Sequence, residues 1–151
     1  MTNVIKPIDP TKYIIKVIVA GSRKVNLSTP EIKAHLSSIL GDAMKRFNVV
    51  IVNGMARGPD EIGGEWATEQ GLWQIFMPAP WEEVGKFAGH LRNGDMAQEG
   101  HVLLLFWDGE SRGSTSMYNY ALLNGLRVSE VLVTPQGVKT VMTSRGLDLW
   151  K

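Results

Sequence analysis

Five short apolar runs alternate along this chain with longer segments of helical spacing, and that alternation narrows the fold more than any other feature. The runs cover residues 13–20, 49–52, 73–77, 101–107 and 127–133. Their near-continuous apolar, β-branched character is that of strands buried on both faces. Between the first two runs, Ile32, Leu36, Ile39, Leu40, Ala43 and Phe47 recur at helical spacing behind a Thr29-Pro30-Glu31 start, with Thr29 as the expected cap. Residues 60–70 read as a second helix stopped by Gly71, and residues 114–123 as another stopped near Asn124-Gly125. Residues 81–98 read as one or two short helices with a loop around Gly89. A turn at Pro135-Gln136-Gly137 leads to an expected sixth strand over residues 138–143, paired as a hairpin. Strands alternating with helices imply βαβ units. The expected fold is α/β, a three-layer α/β/α sandwich on a mostly parallel five-stranded sheet, with the hairpin strand added.

At 151 residues the chain fits one domain over residues 13–151, preceded by a flexible arm over residues 1–12. Its net charge of +1 gives no bulk field toward nucleic acid or membrane. The absence of cysteine excludes a disulfide frame, a cysteine-ligated metal and a thiol nucleophile. His35, His90 and His101 lie far apart in sequence and match no metal spacing, so no metal is expected. No apolar stretch is long enough for a bilayer, and the first ten residues lack the apolar core of a signal peptide. A cytoplasmic protein is the expectation.

Four glycine-rich segments carry the chemistry. Three follow apolar runs: Ala20-Gly21-Ser22-Arg23, residues 54–60 (GMARGPD) and residues 108–115 (DGESRGST). The third in order, residues 91–96 (LRNGDM), comes just before one. Right-handed crossovers put the loops after the strands on one sheet edge, where they would frame a crevice. Glycine admits close approach. Arg, Ser and free helix-start N–H groups supply what a phosphate needs. Residues 108–115 make the strongest single site, because so many donors crowd one turn. Neither a full dinucleotide fingerprint nor a Walker loop is present. Asp60 and Glu65 are five apart and do not share a helix face. Trp73, Trp81, Trp107 and Trp150 read as core or interface aromatics and Trp66 as core; Trp81 and Trp107 also flank the loop edge, where one of them can stack on a base.

Together these stretches resemble the SLOG superfamily of Rossmann-like nucleotide-binding domains, and within it the small YspA-like branch. The matching segments are VIVAGSR (17–23), NGMARGPDEIGGEWA (53–67), PAPWEEVGKFAGHLRNGDMA (78–97) and LLFWDGESRGSTSMYNYA (104–121). The resemblance implies phosphate or ribose roles for Gly21, Ser22 and Arg23 in the first loop and for Gly54, Ala56, Gly58 and Asp60 in the second. It gives Arg92 and Asn93 to the third, and Asp108, Ser111, Arg112, Gly113, Ser114 and Thr115 to the fourth. Related families include phosphoribohydrolases that release cytokinin bases and the DNA-processing protein of transformation. The branch has an acidic residue where Pro80 precedes Trp81. The hydrolases follow their glycine loop with a catalytic glutamate, where this chain has Ser116, Met117 and Tyr118.

The leading expectation is therefore a protein that binds a nucleotide or nucleotide-derived small molecule, needs no other cofactor, and acts as a sensor or sequestering protein in bacterial or phage signalling. The alternative is an enzyme cleaving an N-glycosidic bond, with Glu65 or Asp60 as its carboxylate. A nucleic-acid module is disfavoured by the near-neutral charge. Phe87, Trp150 and the apolar C-terminal half hint at a homo-oligomer.

Overall fold

The computed structural model describes residues 4–142 and Trp150. β1 (Ile14–Gly21) leads to α1 (Thr29–Arg46), β2 (Asn48–Asn53), α2 (Pro59–Gln70) and β3 (Trp73–Phe76). A short α3 (Trp81–Val84) and a 3-10 turn (Gly85–Phe87) precede α4 (Ala88–Glu99). β4 (Val102–Trp107), α5 (Arg112–Leu123), β5 (Arg127–Thr134) and β6 (Gly137–Met142) follow. The sheet order is β3-β2-β1-β4-β5-β6. Every neighbouring pair is parallel except β5 and β6, which form the antiparallel hairpin. The expected five strands and the added sixth are all present over the described residues; Thr143, the last residue of the expected sixth strand, lies outside them.

Period-two alternation splits the core between the two faces. Val17 and Val19 of β1, with Val102, Leu104 and Phe106 of β4, face Ile32, Leu36 and Leu40 of α1 and Trp66 of α2. Ile18, Ala20, Leu103, Leu105 and Trp107 face Met96 and Ala97 of α4 and Met117 and Ala121 of α5. The helices switch face between β1 and β4. In such sheets a crevice opens at that switch, beyond the strand C-termini.

Several local expectations are corrected. The cap of α1 is Ser28, not Thr29: its Oγ accepts from the Glu31 N–H while the Glu31 carboxylate accepts from the Ser28 N–H. Gly89 lies inside α4, not in a loop, so Arg92 and Asn93 sit on a helix. Residues 91–96 are therefore no turn. Their glycine instead admits the Tyr120 ring, 3.4 Å from where a Cβ would stand. Residues expected in the N-terminal arm carry hydrogen bonds to the body. The Lys6 N–H donates to the Gly71 carbonyl, and the Asn48 amide donates to the carbonyls of Asp9 and Lys12. Trp150 is buried against the α1 face, as a core aromatic. Phe87 is exposed. The sequence of the tail, residues 147–150 (LDLW), reads as a segment that packs back on the body; of it only Trp150 is among the described residues.

Candidate functional site

The ends of β1, β2 and β4 deliver their loops to one cleft of about 1160 Å³ at the switch between β1 and β4. Gly21 ends β1. A Cβ there would stand 2.1 Å from the Phe106 carbonyl oxygen, so only glycine lets β1 run this close to β4. That close approach turns Ser22 inward. Its Oγ lies 2.7 Å from Ser111 Oγ and 3.3 Å from Ser114 Oγ, joining the first and fourth loops in a hydroxyl hub.

The fourth loop is folded by its own carboxylate. Asp108 Oδ1 accepts from the N–H groups of Glu110 and Ser111. Those bonds, the Glu110 N–H first, hold its carboxyl below the usual range. Ser111 then occupies the N-cap of α5, yet its side chain makes no capping bond. Its hydroxyl goes to Ser22 instead. The first turn of α5 is thus left without a side-chain cap, with its N-terminal end at the cleft.

On the floor, Asp60 is buried at the start of α2. It accepts from its own N–H and from those of Ala56 and Gly21. Burial pushes its carboxyl up to about 7, against the pull of the Arg92 guanidinium and these N–H groups. Arg92 reaches in from α4, donates through Nη1 to the Gly54 carbonyl, and donates through Nε to Asn93 Oδ1 at 3.1 Å. Burial lowers the Arg92 pKa and Asp60 raises it again. Both side chains close on Gly54, where a Cβ would meet Arg92 Nη1 and Asp60 Oδ2 at 2.7 Å each. The next residue, Met55, takes a left-handed φ of 60°, with its N–H bonded to Asn53 Oδ1. Such a conformation is costly for a residue with a side chain and is concentrated at functional sites.

Of the expected site residues, Gly21, Ser22, Arg23, Gly54, Ala56, Asp60, Arg92, Asn93, Asp108, Ser111, Gly113 and Ser114 line this cleft. Three do not. Gly58 underlies the loop: its φ of 89° sets the second loop against the Arg23 backbone. Thr115 turns its hydroxyl back to the Ser111 carbonyl. Arg112 is exposed and outside the cleft lining. Glu65 also lies elsewhere, on the outer side of α2, paired with Lys33. Sequence reasoning missed Lys24, Arg57, Lys86 and His90, all of which line the cleft. Arg57 lies within the second glycine motif and Lys24 directly follows the first, a readable signal. Trp107 is a structural residue: its indole donates to Glu130 and stacks on Tyr118. Trp81 is the exposed tryptophan at the cleft. His101 sits at the other end of β1 and β4, accepting from the Lys16 N–H.

Charge is segregated. Arg23, Lys24, Arg57, Lys86 and Arg92 line the cleft against Asp60 and Asp108, a local formal charge of +3 in a chain whose total is +1. The rest of the molecule is therefore net negative. Among the described residues no group of three His, Asp or Glu is placed to hold a metal ion. No helix among them is long and apolar enough to cross a membrane.

No family model matches the chain. The Gene 61 protein of Mycobacterium phage D29 is 36% identical over 97 residues, which cover 59% of this chain and 78% of the phage protein. The X-ray structure of DNA processing protein A (DprA) from Streptococcus pneumoniae matches with a TM-score of 0.61 at 18% identity, over 82% of this chain. The match spans about half, 52%, of that DprA chain, and at this identity the likeness is one of Rossmann-like fold.

Proposed function

Starting from a chain that belongs to the same family as the Gene 61 protein of Mycobacterium phage D29, we propose that it binds a nucleotide or nucleotide-derived small molecule in the cleft between β1 and β4. The observation that carries this reading is the meeting of the Ser22, Ser111 and Ser114 hydroxyls beside the uncapped first turn of α5. Hydroxyls and helix-start N–H groups are phosphate donors. The surrounding excess of Arg and Lys supplies the counter-charge. Because the remaining surface is net negative, a small anion suits the molecule better than a DNA backbone, which needs basic side chains spread along a surface. Membership of the SLOG superfamily and its YspA-like branch, with a cytoplasmic sensor or sequestering role in phage–bacterium signalling, belongs to the same proposal. It is supported by the motifs and by the phage relative. Self-association through the exposed Phe87 belongs to it too, and sedimentation velocity of Phe87→Ser tests that part.

The test is a thermal-shift screen against ADP-ribose, NAD, cyclic nucleotides and nucleoside monophosphates, with mass spectrometry of any molecule that co-purifies. A stabilising ligand, weakened by Ser114→Ala, is the expected result. Folded protein with no shift across the panel, or a salt-dependent gel shift with DNA, overturns it.

One observation favours a second reading, hydrolysis of an N-glycosidic bond: Asp60 is a buried carboxyl in the cleft that titrates near neutrality. It can serve as the acid that protonates the departing base while water takes the sugar carbon. Release of free base, abolished in Asp60→Asn and retained in Glu65→Gln, is the expected signature. Nucleotides that stay intact on long incubation remove it.

A further inference from the structure

We propose that Lys86 and His90 form a second subsite of the cleft, which takes the distal phosphoryl group of a nucleoside diphosphate or of a diphosphate-linked ligand. The inference rests on the nucleotide-binding reading, and it gives a role to the outer wall that the glycine loops leave unexplained.

That wall is built by the 3-10 turn and the start of α4. Lys86 and His90 are four residues apart across this junction, and both are exposed and line the cleft. Lys86 enters no ion pair among the described residues. Glu82 and Glu83, just before it on α3, are not part of the cleft lining. The two carboxylates that do line it stand on other elements, Asp60 at the start of α2 and Asp108 after β4. Trp81 shares the outer wall and reaches over Gly89, with its ring 3.3 Å from where a Cβ would be.

The His90 ring is oriented by a directed chain of hydrogen bonds. Arg92 Nε donates to Asn93 Oδ1, which turns Asn93 Nδ2 toward α5. There it donates to the Gly113 carbonyl and to Ser116 Oγ, each at 3.3 Å. Ser116 Oγ lies 2.9 Å from His90 Nδ1. Ser116 Oγ already accepts from Asn93; when its hydroxyl donates to Nδ1, the arrangement this proposal assigns, the neutral imidazole carries its own proton on Nε2. No hydrogen bond among the described residues engages Nε2. That tautomer puts an N–H donor on the same cleft wall as the Lys86 ammonium, a combination suited to phosphoryl oxygen. At about 1160 Å³ the cleft exceeds the roughly 300–1000 Å³ of common small-ligand pockets, which leaves room beyond one phosphate.

Isothermal titration with AMP, ADP, UMP and UDP tests the subsite in wild type, Lys86→Ala, His90→Ala and Ser116→Ala. Wild type is expected to bind a diphosphate about tenfold more tightly than its monophosphate, since one charge-assisted contact is worth about that factor. Lys86→Ala and His90→Ala are expected to erase that preference, with diphosphate affinity falling about tenfold further than monophosphate affinity. Ser116 is a positioning residue. Long-range proton–nitrogen NMR is expected to show the Nε2–H form of His90 in wild type and a mixture of tautomers in Ser116→Ala. Equal affinity for mono- and diphosphates, or equal loss of both in the two wall variants, overturns the subsite and leaves the nucleotide reading standing. Failure of all four nucleotides to bind overturns the reading itself, and the subsite with it.

Discussion

α1 and α4 cover opposite faces of the same sheet, and they are held there in different ways. α1 opens with the Ser28/Glu31 capping box, carries Pro30 in its first turn, buries Ile32, Leu36, Leu40 and Ala43, and ends on Lys45 and Arg46. Each of those is a local signal, and the apolar stripe drives the packing. α4 has no side-chain cap and opens out of a 3-10 turn. It buries Asn93 as well as Met96 and Ala97. Its position depends on polar reach: Arg92 to the Gly54 carbonyl, Asn93 to Gly113 and Ser116, His90 to Ser116. The scaffold face is held by apolar area. The α4 face is also held by hydrogen bonds whose partners lie elsewhere in the chain, and those bonds line the cleft.

The contrast breaks most visibly at Leu36. Leu36→Ala on the scaffold face is expected to cost about 2–5 kcal/mol in urea unfolding, because Leu36 is fully buried among α1 and sheet side chains. Ligand affinity of the folded fraction is expected to be unchanged. A cost below about 1 kcal/mol would mean that the scaffold face is not the apolar anchor argued here.

Asp60 gives the next effect, and its sign is specific. Its carboxyl lies at about 7 in the folded chain against an ordinary 3.8. Between those values the folded state holds a proton that the unfolded chain has released. The contribution of the neutral carboxyl is therefore full below about pH 4, declines as pH rises, and is gone above about 7. At about 1.4 kcal/mol per pH unit the upper limit is a few kcal/mol. Urea titrations from pH 4 to 8 should show this decline in wild type and not in Asp60→Asn; identical slopes refute it.

Arg92→Ala comes third. It removes the bonds to Gly54 and Asn93 and leaves Asp60 without its counter-charge, at an expected cost of about 1–3 kcal/mol. Nucleotide affinity should fall at least about tenfold, the loss of one charge-assisted contact. Loss of stability with affinity intact would assign Arg92 to the fold alone. The smallest effect belongs to Glu65→Gln on the outer side of α2. Its pairing with Lys33 is half exposed, so melting should change by no more than exposed pairs contribute, about 0–1 kcal/mol. Binding should be unaltered, and a clear loss of binding would place the ligand on the wrong side of α2.

Legibility followed the range of the forces. The strand runs and α1 were readable because burial on two faces and a helical stripe leave periodic patterns within a few residues. So were the hairpin strand and the Gly71 stop of α2. The loops after β1, β2 and β4 could be named from Gly, Ser and Arg beside those runs. Residues 81–98 are readable as short helices, but the break expected around Gly89 lies at residues 85–87 instead: Gly89 and Gly94 weaken local helix propensity, while contacts to α5 more than twenty residues away hold α4 through them. Arg112 and Thr115 look in sequence like the donors beside them. The phase of the first turn of α5 sends one to solvent and the other back to its own backbone.

The order of residues alone determined that this chain forms a parallel α/β sheet with glycine-rich turns after its strands, since alternation and turn chemistry are properties of neighbours. Only the tertiary structure decided which side chains share the cleft. Close approach of β1 and β4 at Gly21 brings Ser22 to Ser111, and the fold brings Asp60 of α2 and Arg92 of α4 together on Gly54, where each feels the other's charge. Distance and dielectric in the folded state, not sequence spacing, set those interactions.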